Sequence, residues 1–263
     1  MPEGDTVWRT AQRLDRALKG QVLAATEVRV PAFATWDLAG ATVTETVSRG
    51  KHLLTRIDGE QPWTLHTHLK MEGGWRVFAP GQRWSRPAHT ARVVLTTADA
   101  VAVGFSLGVV EIVPRERESD LVGHLGPDLL GPDWDPAEAI RRLGEQPDRT
   151  VKEALLDQTR LAGLGNMYAN ELCFIAGVSP ETTIGAVPDL PRMVERAQQL
   201  LDQNRHRAVQ STTGDLSRGR QFWVYNRGGR ECRRCRTTIR QTRLSDEGQE
   251  RTTFWCPSCQ PLR

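Results

Sequence analysis

Apolar side chains in the first nineteen residues recur every three or four positions, with polar and charged residues between them. The apolar positions are Val7, Ala11, Leu14 and Leu18. Because about 3.6 residues complete a turn of α-helix, these side chains fall on one face of the helix. We predict an amphipathic helix over residues 5–19, with Thr6 capping its start.

The pattern then changes to short apolar runs that are rich in β-branched residues and separated by turn residues. Runs of this kind are typical of strands. The predicted strands cover residues 22–30, 42–47, 52–57, 63–68, 75–78, 91–95, 101–105 and 109–113. Eight short strands at this spacing indicate a β-sandwich or a barrel.

Beyond a segment rich in proline and glycine at residues 125–136, the sequence becomes helical. Periodicity and capping residues predict helices over residues 136–143, 150–161, 167–176 and 190–207. The whole is an α+β protein, and 263 residues are enough for more than one domain. The predicted parts are a helix plus β-sandwich at residues 1–120, a linker at 121–135, a helical domain at 136–222 and a cysteine-containing domain at 223–263.

Four of the five cysteines lie in the last thirty-two residues, as two Cys-x-x-Cys pairs separated by twenty residues. They are Cys232, Cys235, Cys256 and Cys259. Each pair supplies two thiolates from one tight turn, and four thiolates form a closed tetrahedral zinc site of the structural type. Two disulfides in a secreted protein are the alternative, but residues 1–20 lack the apolar stretch of a signal peptide. We predict one structural Zn²⁺ per chain, and a buried apolar role for the fifth cysteine, Cys173.

The positive charge of the chain is concentrated near its C-terminus. The formal net charge is +3, while residues 223–263 contain nine arginines and four acidic residues, a local charge of +5. A compact basic segment on an otherwise nearly neutral chain is typical of nucleic-acid-binding proteins. No run of eighteen apolar residues occurs, which excludes membrane-spanning helices. We expect a cytoplasmic protein, since no targeting segment is recognised, and a monomer as the default.

A glycine-containing turn, Gly163-Leu164-Gly165-Asn166, joins two of the predicted helices. The start of the second helix offers N–H groups and the positive end of a dipole, so it could hold a phosphate. A plain turn between helices is the alternative.

Four short motifs, taken together, resemble the formamidopyrimidine-DNA glycosylase/endonuclease VIII family over essentially the whole chain. They are Met1-Pro2-Glu3-Gly4, the Ser-Arg-Gly-Lys-His-Leu run at 48–53, the Gly-Leu-Gly-Asn run continuing to 171, and the segment 251–259 that closes the cysteine domain. The Pro-Glu-Gly start favours the endonuclease VIII branch, of an actinobacterial kind. The resemblance implies a two-layered β-sandwich, a helix–two-turns–helix domain and a C-terminal zinc finger with four cysteine ligands.

The resemblance also implies a bifunctional DNA glycosylase/AP lyase of base excision repair, which excises oxidised pyrimidines and cleaves the strand by β,δ-elimination. After removal of Met1, Pro2 would form a Schiff base with the sugar, because an α-amine is far more available at neutral pH than a lysine. Glu3 would be the general acid/base. Lys51 would assist beside the phosphates of the damaged nucleotide, and Arg251 would clamp a phosphate and promote the second elimination. A charged residue in a first helical turn and a solvated hairpin lysine are the alternatives for Glu3 and Lys51.

Four further residues are implied to contact DNA. Met71 would fill the space left by the extracted nucleotide, with Lys70 in the same loop, although an ordinary turn or core methionine is the alternative. Asn166 would hold a backbone phosphate, and Glu171 would lie nearby with either a direct role or none. The implied partner is damaged double-stranded DNA, with single-stranded or bubble DNA as further candidates.

Two departures from the family pattern affect these expectations. Asp5 and Thr6 replace a common proline and glutamate, and residues 103–108 lack the Arg-Arg-Phe-Gly pattern of the 8-oxoguanine enzymes. Oxidised purines are therefore the alternative substrate rather than the first choice. A non-catalytic, zinc-dependent DNA-binding protein is the alternative of another class.

Overall fold

The computed structural model describes residues 2–246 and 249–262, and the side chains of 243–246 and 249–251 lie outside this description. The chain divides into two compact units, Met1–His124 and Leu125–Arg263. Among the described residues, no helix combines the length and the apolar character needed to cross a membrane. The α+β class is confirmed, while the finer division into linker, helical domain and finger stays a prediction.

The first unit contains one long helix and two antiparallel four-stranded sheets, as a β-sandwich requires. Its elements are α1 (Gly4–Leu18), β1 (Ala25–Val28), β2 (Thr42–Arg49), β3 (His52–Asp58), β4 (Pro62–His68), β5 (Gly74–Phe78), β6 (Ala91–Thr96), β7 (Val101–Phe105), β8 (Val109–Pro114) and α2 (Glu118–Val122). One sheet has the order β1-β6-β7-β5 and the other has the order β2-β3-β4-β8. All eight predicted strands are present, within one to three residues of their predicted ends.

Alternation along the strands separates an apolar face from a polar face in the sheet β2-β3-β4-β8. Leu53, Ile57 and Leu65 are buried in the main core of the unit, together with the apolar side of α1. Successive side chains of a strand point to opposite faces. The other face therefore carries polar side chains such as His52 and His66.

Two local predictions are wrong for physical reasons. Thr6 lies inside α1 rather than capping it, because the backbone turns helical immediately after the extended residue Glu3. The helix predicted over 150–161 is only Val151–Leu156, hereafter α4. It ends early because Asp157 is extended and its carboxylate accepts a hydrogen bond from the Thr159 N–H, at 3.0 Å.

The second unit is helical, with one β-hairpin near its end. Its other elements are α3 (Pro136–Gly144), α5 (Asn166–Ala176), α6 (Leu190–Arg205), β9 (Arg240–Asp246) and β10 (Gln249–Trp255). Asp135 caps α3 as predicted, by accepting from two backbone N–H groups. Gly177 ends α5 in the left-handed conformation that glycine adopts without strain, at φ 67°.

Two apolar clusters stabilise this unit. The larger one packs α3, α4, α5 and α6 around side chains such as Leu143, Tyr168 and Leu201. The smaller one joins Phe174 of α5 to Val224, Ile239 and Phe254 of the cysteine domain. The cysteine domain therefore shares its core with α5.

Candidate active site

Pro2 and Glu3 lie at the start of α1, where the chain enters the first unit. Glu3 is fully buried, and its carbonyl accepts the first helical hydrogen bond from the Val7 N–H, at 3.0 Å. Pro2 is half-buried immediately before it. The sequence thus places a carboxylate next to the nitrogen that would become the N-terminal amine once Met1 is removed.

The direction of α1 brings Pro2 and Glu3 toward the hairpin that carries Lys51. The helix packs along β2 in the opposite direction, since the Gly20 N–H just after the helix donates to the Val43 carbonyl at 2.7 Å and the Asp15 carboxylate accepts from the Thr46 N–H at 2.8 Å. Going back from Asp15 to Glu3 covers about 18 Å of helix. Going forward from Thr46 to Lys51 covers about 17 Å of strand. The start of α1 and the Gly50–Lys51 turn between β2 and β3 therefore lie at the same end of the sandwich.

The loop after β4 occupies this end as well, because His52 at the start of β3 pairs with His68 at the end of β4. Met71 in this loop is 67% exposed, so the alternative of a core methionine is wrong. Lys70 has a left-handed backbone, at φ 52°, and its N–H donates to His68 Nδ1 at 2.9 Å. A Cβ at Gly108 would lie 2.1 Å from Lys70 Cγ, so only glycine leaves room for this lysine.

Three histidines lie close to His52, the residue that follows Lys51, an arrangement that the sequence did not indicate. We call His52, His66, His68 and His124 the histidine cluster. His52 Nδ1 lies 2.8 Å from His66 Nε2, and His66 Nδ1 lies 2.7 Å from a carboxylate oxygen of Glu111. The rings of His68 and His124 lie 5.0 Å and 6.5 Å from the His52 ring, between centroids. The spacing of two between His66 and His68 on a strand was a signal that could have found part of this cluster.

Burial and like charge keep two of these rings neutral. Burial, together with the neighbouring histidines and Lys51, lowers the pKa of His52 from 6.5 to about 3. Burial, Lys70, Lys51 and His66 lower the pKa of His68 to about 4. Desolvation and nearby cations both disfavour an imidazolium, so the two causes act in the same direction.

In the second unit, polar side chains of two helices hold the backbone of β10. Asn166 Nδ2 donates to the Thr252 carbonyl at 2.9 Å, and the Phe254 N–H donates to Asn170 Oδ1 at 2.7 Å. Lys152 Nζ of α4 is buried and donates to Thr253 Oγ1. These bonds involve the three residues that follow Arg251. Asn166 thus has a structural partner that the sequence did not indicate, and the sequence assigned no role to Asn170 and Lys152.

Arg251 pairs with Leu244 in the backbone register of the β9–β10 hairpin, close to the tip of the hairpin. Its side chain lies outside the described part of the chain. The phosphate-clamp role of Arg251 therefore stays a prediction, supported by the firm attachment of the next three residues to the helices.

Glu171 differs from the expectation of a direct DNA contact. Its side chain is fully buried, and its carboxylate accepts from the N–H groups of Trp223, Val224 and Tyr225, each at 2.8 Å. The Thr212 hydroxyl also donates to it. All of these partners are protein groups, so Glu171 holds the segment that leads into the cysteine domain instead of facing a ligand.

The four cysteines of the Cys-x-x-Cys pairs converge on one point. Their sulfur atoms all lie within 4.8 Å of one another, with 3.9 Å between Cys232 and Cys259 and 3.4 Å between Cys235 and Cys256. A tetrahedral zinc ion with Zn–S bonds of about 2.3 Å requires sulfurs about 3.8 Å apart. The Arg234 N–H points at the Cys232 sulfur, at 3.4 Å, as expected beside a thiolate. The residues present fit a structural metal site.

Cys173 lies apart from that group, as predicted. It is fully buried in the helical core, and burial raises the pKa of its thiol to about 12. It is therefore a small apolar core residue.

Comparison with known proteins agrees with this arrangement. Residues 1–106 match the formamidopyrimidine-DNA glycosylase N-terminal domain, and residues 125–212 match the formamidopyrimidine-DNA glycosylase H2TH domain. The chain is 52% identical to a probable endonuclease 8 2 of Streptomyces coelicolor, over 99% of this chain and 94% of that protein. It is 50% identical to the DNA-(apurinic or apyrimidinic site) lyase Nei2 of Mycolicibacterium smegmatis, over 99% of each chain.

Solved structures show the same fold at lower identity. One is the Lactococcus lactis Fpg in complex with DNA containing an abasic site, with a TM-score of 0.80, 23% identity, and 98% of this chain and 99% of that chain covered. Two matched domains and relatives near 50% identity over full length establish the relationship. The chain therefore belongs to the formamidopyrimidine-DNA glycosylase family of DNA-repair enzymes, in its endonuclease VIII branch.

Proposed function

We propose that the protein excises oxidised pyrimidines from DNA and then cleaves the strand by β,δ-elimination through a Schiff base at Pro2. The observation that carries this proposal is the buried Glu3 carboxylate beside Pro2, at the end of the sandwich that also presents Lys51 and the exposed Met71. The names of the endonuclease 8 and lyase relatives support the same chemistry.

The first step is an attack by the Pro2 nitrogen on C1′ of the damaged nucleotide. The N–C1′ bond forms, the bond from C1′ to the base breaks, and its electron pair leaves with the base. Glu3 supplies the proton that the departing base or the opening sugar needs. Because proline is a secondary amine, loss of its own proton and ring opening of the sugar give an iminium ion directly.

Two eliminations then follow from the iminium ion. It makes the C2′ proton acidic, and loss of this proton expels the 3′ phosphate as the C3′–O bond breaks. Loss of a further proton, from C4′, expels the 5′ phosphate as the C5′–O bond breaks. Lys51 and Arg251 would stabilise the charge on these phosphates, since cationic donors favour a departing dianion.

Damaged double-stranded DNA is the partner that these features favour. The local charge of +5 in residues 223–263 suits a polyphosphate, and Met71 is long, unbranched and exposed, as a side chain that enters a base stack must be. The Lactococcus lactis relatives were solved with damaged DNA. A substrate of this kind supports a location with the chromosome, in the bacterial cytoplasm.

The zinc ion would be held by Cys232, Cys235, Cys256 and Cys259. When bound, it supplies no catalytic chemistry, because four thiolates leave no open position; it fixes the fold of the cysteine domain.

The short connection between β7 and β8, near Lys70, favours oxidised pyrimidines over oxidised purines as substrates. The connection from β7 to β8 consists of only three residues, Ser106 to Gly108, without the Arg-Arg-Phe-Gly pattern of the 8-oxoguanine enzymes. Fewer groups are then available to contact the strand opposite an oxidised guanine.

Borohydride trapping on abasic-site duplex tests the nucleophile, because reduction turns the iminium ion into a stable protein–DNA bond. We expect full-length protein with Met1 removed, verified by mass, to give an adduct that maps to Pro2. A chain that retains Met1 should give none, since its Pro2 nitrogen is an amide. Lys19→Ala, which removes an exposed amine at the end of α1, should trap normally. Trapping by the Met1-retaining chain would overturn the assignment.

Duplexes with thymine glycol and with 8-oxoguanine complete the same experiment. We expect faster excision of thymine glycol; the reverse order would favour the oxidised-purine alternative. Protein that binds these duplexes and neither traps nor nicks them would be a non-catalytic binder.

A further inference from the structure

The histidine cluster lies on the polar face of the sheet β2-β3-β4-β8, and the strand register explains its order. His66 of β4 is directly opposite Glu111 of β8, and His68 of β4 is directly opposite His52 of β3. His66 and His68 share a face, since they are two residues apart on one strand. The register therefore places Glu111 of β8 beside His66, and His52 of β3 beside His68, all on one face of three adjacent strands.

Hydrogen-bond chemistry fixes the direction of this chain of groups. The Glu111 carboxylate only accepts, so His66 Nδ1 must donate to it. A neutral imidazole has one donor nitrogen and one acceptor nitrogen. His66 Nε2 is then an acceptor, and His52 Nδ1 must donate to it. It follows that neutral His52 has its proton on Nδ1 and an unprotonated Nε2.

His68 is held in the opposite form. Its Nδ1 accepts from the Lys70 backbone N–H, at 2.9 Å, so neutral His68 carries its proton on Nε2. The cluster beside Lys51 thus contains one histidine fixed as a proton acceptor and another fixed as a donor.

The surroundings of His52 keep its ring neutral when no anion is bound. A bound anion would favour protonation of this ring. The groups that face it are Arg49 of β2, His66 and His68 of β4, His124 after α2 and Lys51 of the turn, and Lys70 faces His68. These groups are all neutral or cationic. Within the described part of the chain, Glu111 is the one acidic group in the hydrogen-bonded series, and its side chain is 43% exposed, whereas that of His66 is only 5% exposed.

We propose that Glu111 and His66 form a relay that positions His52 as a proton acceptor, so that the histidine cluster takes up a proton when a DNA phosphate binds beside Lys51. This inference rests on the proposed function, because it assumes that DNA occupies this end of the sandwich. Glu111 and His66 are positioning residues, since they act through His52.

The proton balance of the step is simple. One proton from bulk water binds to Nε2 of neutral His52 and gives an imidazolium, and no other bond changes. The phosphate stabilises the new charge from one side. The Glu111 carboxylate stabilises it from the other side through His66, which donates to Glu111 and accepts from His52.

Long-range proton–nitrogen NMR correlation on full-length protein labelled with ¹⁵N at histidine tests the relay directly, because the two ring nitrogens of each tautomer have distinct shifts. We expect neutral His52 to carry its proton on Nδ1 in the wild type. Glu111→Leu removes the acceptor at a half-exposed position, and we expect it to give His52 a mixture of tautomers. Glu111→Gln keeps an acceptor oxygen and should retain the wild-type tautomer. A wild-type His52 protonated on Nε2 would overturn the proposal.

Binding of a tetrahydrofuran-containing duplex, an abasic analogue without the C1′ hydroxyl, tests the coupling. At constant ionic strength, we expect the wild-type Kd to fall as the pH is lowered from 8 to 5.5, by up to about tenfold per pH unit for one proton. Glu111→Leu should match the wild type at pH 8 and gain less affinity at pH 5.5. The exposed control Glu60→Gln should follow the wild type throughout.

The two proposals fail in different ways. An unchanged pH slope in Glu111→Leu, in protein that still traps abasic DNA, would overturn the relay and leave the lyase intact. A wild type that shows the expected His52 tautomer and neither binds the duplex nor traps would contradict the proposed function. The NMR experiment also detects a misfolded variant, through the dispersion of its histidine signals.

Discussion

At the residue scale, the surroundings of two buried glutamates distinguish their roles. Glu3 and Glu171 are both carboxylates with no exposed surface. Glu3 precedes a helix beside the nitrogen that would be the nucleophile, whereas Glu171 accepts four hydrogen bonds from the segment at residues 212–225. Burial raises the pKa of the Glu171 carboxyl, and the four donors oppose that shift. Glu171 therefore has a structural role.

We expect Glu171→Gln to destabilise the protein by about 2–3 kcal/mol, because the glutamine –NH2 group replaces one carboxylate oxygen and leaves at least one backbone N–H, such as that of Trp223, facing a donor instead of an acceptor. Urea unfolding of the full chain, monitored by far-UV circular dichroism, measures the change in free energy. The matched control is Glu181→Gln at an exposed position, which should stay within about 0.5 kcal/mol of the wild type. If both substitutions changed the free energy of unfolding equally, the four hydrogen bonds of Glu171 would contribute no specific stability.

At the element scale, α5 positions the strand that carries Arg251. Asn166 and Asn170, four residues apart, lie on the same side of the helix, and both bind the β10 backbone. The helix itself ends at Gly177, and its apolar residue Phe174 enters the core of the cysteine domain. A shift of α5 would thus move β10 with it.

We expect Asn170→Ala to reduce δ-elimination relative to β-elimination, because the Phe254 N–H loses its acceptor and the part of β10 next to Arg251 is held less firmly. The loss of one buried acceptor destabilises by about 1–3 kcal/mol, so most of the protein should remain folded. Denaturing gels of nicked abasic DNA resolve the two products. Gln203→Ala, on the exposed side of α6, should give the wild-type ratio. If folded Asn170→Ala protein gave an unchanged product ratio, the bond from Asn170 to β10 would not be needed for the second elimination.

At the scale of the whole molecule, the chain has two units with separate cores. Val7, Leu53 and Leu65 belong to the core of the first unit, and Leu155, Tyr168 and Val194 belong to that of the second. The cysteine domain has only a small apolar cluster, which is too small to fold alone without a metal or partner. Loss of zinc should therefore act on one unit and spare the other.

We expect Cys256→Ser to lose zinc and to abolish strand cleavage while the first unit stays folded, because three ligands no longer close the tetrahedron. Hydrogen exchange followed by mass spectrometry should increase across residues 223–262 and stay unchanged in strands β2 to β8. Metal analysis should give one zinc ion per wild-type chain. Ser258→Ala, at an exposed position between the last two cysteines, is the control. Cleavage by zinc-free protein would contradict the role of the hairpin.

The sequence by itself determined the features that depend on local spacing. Alternation predicted the eight strands of the sandwich, and the two Cys-x-x-Cys pairs predicted the metal site, because strand faces and tight turns are set by neighbours in the chain. Asp135 and Gly177 likewise marked helix ends through their own backbone chemistry. Motif order identified the family and proposed Pro2, Glu3 and Lys51.

Only the tertiary structure decided which residues meet across the sheets and helices. His52, His66 and Glu111 are distant in the sequence, and they become neighbours through strand register, which no local pattern specifies. The burial of Glu171 and the bonds of Lys152 and Asn170 to β10 follow from packing in the same way. Local interactions determined which segments of this protein form helices and strands, and the packing of those elements determined the environment of each charged group.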